Sequence, residues 1–236
     1  MKQKDLTDIV LEKLKKIGFP ILLILIMLFW QSLGVLILNI FKINYNNLPD
    51  LLKVIILFIF DLGYLALIIY IYRKDLKKEI KEFFNKNLFN NLRYAFKYWL
   101  IGFSIMLISN YIILIITNGT LATNETDIRS LIDKSPIYMA FQVMLYAPFT
   151  EEIIFRKSIR NSINNKYIYI LLSGLIFGGL HVITSLDSFI DLIYLIPYCS
   201  LGFVFALLYT KTNNIFSTIT IHSFHNTLAF LLYLIG

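Results

Sequence analysis

One cysteine, three histidines and five prolines are all that this 236-residue sequence offers of the residues that most often build cross-links, metal cages and tight turns. Cys199 alone excludes an intramolecular disulfide and a cysteine-based metal cluster. No HExxH helix is present, which removes the common zinc-protease motif. There is no internal repeat, no low-complexity stretch and no Gly/Ser linker. Acidic residues are scarce too: 15 Asp and Glu stand against 22 Lys and Arg, a formal charge of +7.

Apolar residues fill the space. The chain is 58% hydrophobic, with a mean hydropathy of +0.70, where a soluble domain holds about half. The excess reads as membrane helices, each needing about 20 apolar residues to cross a hydrocarbon core. Apolar runs fall near 18–41, 54–72, 95–117, 137–158, 167–185, 189–210 and 214–235. The expectation is an all-α, polytopic bundle of about seven spans. The first run is too long for a signal-peptide core and lacks an A-x-A site, so it reads as an uncleaved span. Residues 73–93 are basic and amphipathic and read as an interfacial helix.

The positive charge sits in short connections between apolar runs, which points to cytoplasmic loops facing anionic lipid and away from nucleic acid. Lys2, Lys4, Lys13, Lys15, Lys16, the Arg73–Lys97 cluster, Arg156, Lys157, Arg160, Lys166 and Lys211 fall on one side. The other side keeps Lys42, Lys53, Arg129 and Lys134. A cell-membrane protein with its N-terminus inside, its C-terminus outside and loop 118–135 outside follows. The halves differ in character. Residues 1–136 form featureless spans with a basic segment, while residues 137–236 hold every histidine and a run of buried charge.

Ionisable side chains inside a bilayer are costly, about 2.5–3.5 kcal/mol each on insertion scales, and so mark function. The fourth run reads Tyr146-Ala-Pro-Phe-Thr-Glu-Glu-Ile-Ile-Phe-Arg156. Pro148 should kink it. Helical neighbours point about 100° apart, so Glu151 and Glu152 serve different purposes. Glu152 can pair with Arg156 four residues on, an arrangement that can also simply end a helix at the interface. Glu151 is left to face elsewhere, placed to act as a general base. The fifth run carries Gly178-Gly179-Leu-His181, its glycines permitting close helix approach. Taken singly, His181 is as well explained by packing as by catalysis. In the seventh run His222 and Asn226 share a face, and His225 reads as a hydrogen-bonder to a neighbouring helix. Asp61, buried in the second run without a partner motif, reads as structural or auxiliary. Asp187 and Asp191 fall at a span junction that water can reach.

Glu151-Glu152-x-x-x-Arg156, Phe177-x-x-x-His181 and His222-x-x-x-Asn226, in that order and each in its own apolar run, resemble the three motifs of the CAAX protease and bacteriocin-processing (CPBP, or Abi) family, to which the Ras-converting type of CAAX prenyl endopeptidase belongs. The likeness spans residues 137–230 and includes Ala147-Pro148 before the acidic pair. It implies an intramembrane endopeptidase with a four-helix core, acting on a peptide precursor or membrane protein. By carry-over, Glu151 and His181 activate water, His222 and Asn226 stabilise the oxyanion, and Glu152 and Arg156 brace the site.

Metalloprotease is a frequent label in that family, and zinc through His181, His222 and Glu151, with His225 as a spare, is one possibility. Metal-free chemistry conflicts less, since Glu151 cannot easily be both ligand and base. The alternatives are a non-catalytic bacteriocin-immunity or scaffold protein of the same fold, or a proton-relaying transporter, which the absence of paired repeats disfavours. One geometric tension stands. At about 1.5 Å per residue, Glu151 and His222 fall towards the cytoplasmic side and His181 towards the outer side.

Overall fold

A computed structural model describes residues 6–85, 88–183, 186 and 189–236, with the side chains of 6–11 and 13 left aside. Among the described residues every regular element is helical. In chain order they are α1 (Leu6–Ile40), α2 (Asp50–Asn85), α3 (Leu88–Ile116) and α4 (Thr123–Lys134), then a composite rod, then α8 (Lys166–Ile183), α9 (Leu195–Thr212) and α10 (Ile215–Ile235). The rod runs through α5 (Pro136–Phe141), a π-helical segment Gln142–Tyr146, α6 (Ala147–Glu151), a second π segment Glu152–Ser158 and α7 (Ile159–Ser162).

Among the described residues six helices are long and apolar enough to cross a membrane. The chain is an all-α, multi-pass membrane protein. The fourth expected span, 137–158, is the rod, and it misses that criterion because it is interrupted and carries Glu151, Glu152, Arg156 and Lys157. Its second half nonetheless lies inside the bundle: residues 152–159 are buried without a break. The polar face that would be intolerable against lipid is covered by other helices on all sides.

The expected interfacial helix at 73–93 does not exist as a separate element. Residues 73–85 continue α2, and 88–93 open α3. At about 1.5 Å per residue, 36 residues reach about 54 Å, well past a hydrocarbon core of about 30 Å. The extension is amphipathic for a different reason from the one expected. Tyr72, Leu76, Glu79 and Phe83 form a buried stripe against the protein, while Arg73, Lys74, Lys77, Lys78 and Lys81 stay exposed.

Helix α8 lies close against α9. A Cβ on Gly178 would stand 2.7 Å from the Cys199 backbone nitrogen, and one on Gly202 would stand 2.8 Å from the Gly174 carbonyl oxygen. The close approach belongs to Gly174, Gly178 and Gly202. Gly179, expected to share it, meets nothing nearer than an Ile183 methyl at 3.9 Å. Gly174-x-x-x-Gly178 is the small-residue spacing that lets membrane helices approach. Asp187 lies outside the described residues.

Candidate active site

Pro148 sets the site up locally. In the π segment Gln142–Tyr146 the ladder shifts to the carbonyl five residues back, as the N–H of Ala147 reaches Gln142. The next donor in that pattern would be residue 148, which has no N–H. The Val143 carbonyl is thereby freed, and it accepts the side-chain amide of Asn226 from α10 at 2.8 Å. A proline in one helix thus fixes a motif asparagine in another.

One turn further the two carboxylates divide as their spacing requires. Glu152 is fully buried and pairs with Arg156 (Oε2 to Nε, 3.1 Å), while its Oε1 lies 2.9 Å from Nδ1 of His222. A carboxylate oxygen can only accept, so Nδ1 carries the proton and Nε2 is the nitrogen left for chemistry. Removing one partner from such a buried pair costs about 3–5 kcal/mol, because a lone charge stays behind. The Arg156 guanidinium lies over the rings of Phe177 (4.4 Å) and Phe205 (5.6 Å), a cation–π seat that lowers the cost of burying it. Glu151 differs from its neighbour in having no ion pair and no histidine bond among the described residues. Its Oε2 is shielded from solvent and has no hydrogen-bond partner among the described residues. It lies within electrostatic reach of His222, Glu152 and Arg156.

Phe177 ties the motifs together. Its ring centroid lies 4.5 Å from that of His181, 5.9 Å from that of His222 and 5.6 Å from that of Phe155. The offset in depth expected for His181 is therefore not met, since both imidazoles contact a single ring. The Nδ1 of His181 lies 2.8 Å from the Phe177 carbonyl oxygen, which can only accept, so Nδ1 of this histidine too carries a proton. Its other face stacks on Tyr198 at 5.1 Å, and the Tyr198 hydroxyl accepts a bond from Asn124 of α4 at 3.1 Å. His225 turns away towards α3, its Nδ1 accepting from Trp99 Nε1 at 3.3 Å, the bland role expected of it.

Two polar clusters escaped the sequence reading. Asp61, wholly buried, accepts from Gln31 at 3.0 Å, from the Tyr138 hydroxyl at 2.7 Å and from Gln142, joining α1 and α2 to the first half of the rod. At the other end Glu79 of α2 pairs with Lys157, and Lys157 also reaches Asp75 at 3.3 Å. Glu79 further accepts the backbone N–H of Ile215 at 2.6 Å. The acidic residues at 75 and 79 were hidden in a segment read as basic; their signal was the i, i+4 recurrence of Asp75 and Glu79 beside an apolar stripe.

Among the described residues no three His, Cys, Asp or Glu side chains gather as a set that can hold a metal ion. His181, His222 and Glu151, the zinc set that the sequence allows, are not gathered as such a set.

Residues 133–228 match the family model described as type II CAAX prenyl endopeptidase Rce1-like. A Lactococcus lactis protein, UPF0177 protein YxdF, is 29% identical over 144 residues, 58% of this chain and 77% of its own. An uncharacterised protein of Mycoplasma capricolum is 28% identical over 233 residues, 91% of this chain and 65% of its own. A Bacillus subtilis protein called "Putative membrane peptidase YdiL" is 33% identical over 119 residues, 49% of this chain and 45% of its own. No solved structure matches.

Proposed function

On the premise that residues 133–228 match the Rce1-like type II CAAX prenyl endopeptidase family, we propose that the chain is an intramembrane endopeptidase. Its substrate class is a membrane-associated protein or peptide precursor, and Glu151 is the general base. One contrast carries the reading. Each Glu152 oxygen has a charged or hydrogen-bonding partner, Oε2 in an ion pair with Arg156 and Oε1 on His222, whereas the adjacent Glu151 keeps a desolvated Oε2 with neither a hydrogen bond nor an ion pair among the described residues. A structural carboxylate is satisfied; a base must be free to take a proton.

In this mechanism Glu151 Oε2 takes a proton from a water held by Nε2 of His181, and the hydroxide adds to the scissile carbonyl carbon. The negative charge on the carbonyl oxygen is met by Nε2–H of protonated His222 and by the Asn226 amide, donors aimed at charge as it develops. Glu151 then passes its proton to the amide nitrogen as the C–N bond breaks, leaving a free amine and a carboxylic acid. Arg156 and Glu152 hold His222 in place. No step is routed through a metal, because the side chains do not gather as ligands. The same reading places residues 137–236 as the catalytic half, the N-terminus and the basic end of α2 in the cytoplasm, and loop 118–135 outside.

Comparing the membrane proteome of cells carrying the native chain with that of cells carrying Glu151→Gln tests the reading. The expected result is one or more full-length precursors that persist only in the variant. Identical proteomes, with both proteins folded and inserted to the same level, would overturn it.

A further inference from the structure

Glu79 lies far along α2 from any motif, yet it touches both helices that make the Glu152–His222 bond. One carboxylate oxygen accepts from Lys157, which lies in the same π segment as Glu152 and is itself buried. The other accepts the N–H of Ile215 at 2.6 Å, the first residue of the helix that carries His222. The Glu79 backbone carbonyl accepts the Asn214 amide at 2.7 Å, and Asn214 caps the same helix through its side-chain oxygen and Phe216 N–H at 3.0 Å. A carboxylate at a helix N-terminus is favoured by the unpaired N–H groups and the dipole there. Lys157 gains a second acidic neighbour in Asp75 at 3.3 Å.

We propose that Glu79, through Lys157 and Ile215, is a positioning residue that sets the Glu152–His222 hydrogen bond. The proposal rests on the peptidase reading for its effect on rate, though not for its effect on geometry. The lever arms are short. Lys157 is five residues from Glu152, and Ile215 is seven from His222, a rise of about 10 Å along a stiff helix. Both helices are referred to a single side chain, so their axial offset is set there. An ion pair that only stabilised the fold would have no need to involve the N-terminus of the histidine helix. An N-cap alone would have no need of a buried lysine.

The test compares full-length Glu79→Gln, Lys157→Met and the double variant in nanodiscs. Either single change leaves a buried partner uncompensated and should lower thermal stability. The double change leaves no buried unpaired charge from this couple and should restore most of the melting temperature. Under the proposal the restored double variant still loses or broadens the downfield ¹⁵N-histidine resonance of the His222 Nδ1 proton bonded to Glu152. Its kcat on a membrane-inserted peptide reporter falls by roughly tenfold to a hundredfold, in line with a small misplacement of reacting groups, while KM is unchanged. A double variant that regains its melting temperature together with an unaltered His222 resonance and native kcat would overturn the proposal. If the native chain cleaves no reporter, the peptidase reading is what fails, and the His222 resonance alone decides the role of Glu79.

Discussion

Nδ1 of His222 lies 2.9 Å from Oε1 of Glu152, so the histidine of the last helix is bonded to the second carboxylate of the acidic pair and not to the first. The two glutamates are chemically identical and adjacent, yet one anchors a histidine and an arginine while the other presents an oxygen without a hydrogen-bond partner among the described residues. That division leads to opposite expectations for substitution at the two positions.

Glu151→Gln should reduce cleavage by about 10²–10⁴-fold, the range for loss of a general base, with the melting temperature and detergent stability little changed. Glu152→Gln should reduce both activity and stability, because Arg156 is left as a buried charge without its partner. Parallel activity assays and thermal melts of the two variants check this. An active Glu151→Ala beside an inactive Glu152→Ala would reverse the roles of the pair.

Asn226→Ala should cost about 10²–10³-fold in kcat, as loss of one oxyanion donor does. The amide also bonds the Val143 carbonyl, so the same change should loosen the first π segment. Faster amide hydrogen exchange around residues 143–148 is the separate sign of that loosening. Full activity in Asn226→Ala would remove this residue from the proposed oxyanion site.

Exhaustive dialysis against chelator should leave activity in place, and elemental analysis should find well under one zinc per chain. Stoichiometric zinc whose removal and return switches cleavage off and on would make His181 and His222 ligands and would require the side chains to rearrange from the positions seen here.

Much of the bundle was legible because lipid imposes a coarse code: long apolar runs, charge in the connections, ionisable residues where function needs them. The Glu152–Arg156 pair followed from i, i+4 spacing, whereas the place of His225 three residues after His222 left it free to join the site or to bond a neighbouring helix, as it does with Trp99. What stayed hidden depends on neighbours remote in sequence. Asp61 looks partnerless because Gln31, Tyr138 and Gln142 come from two other elements. The buried acids on α2 are masked by the lysines around them, so the segment reads as a surface helix. The meeting of His181 and His222 on the Phe177 ring was hidden because residue counts along separate spans do not say how α8 sits against α10.

Orientation is open to direct measurement. On a Cys199→Ser background, a cysteine at Ala122 should react with an impermeant maleimide on intact cells, and one at Lys77 only after permeabilisation. The reverse pattern would invert the topology.

The rod at 136–162 carries a charged segment, 152–158, that is buried without a break, and this bears on how the chain is made. A translocon releases segments into lipid according to their own hydrophobicity, and five charged residues weigh against release of this one. Its compensating partners come from elsewhere: Glu79 is synthesised well before it, His222 well after. Maturation therefore cannot proceed strictly from first helix to last. The rod must wait, sheltered by the translocase or by an insertase, until α10 emerges to cover it. Chains arrested before Ile215 should remain crosslinked to that machinery through residues near 152, and extension past Asn226 should release them; release of the shorter chains would show that the rod can enter lipid alone.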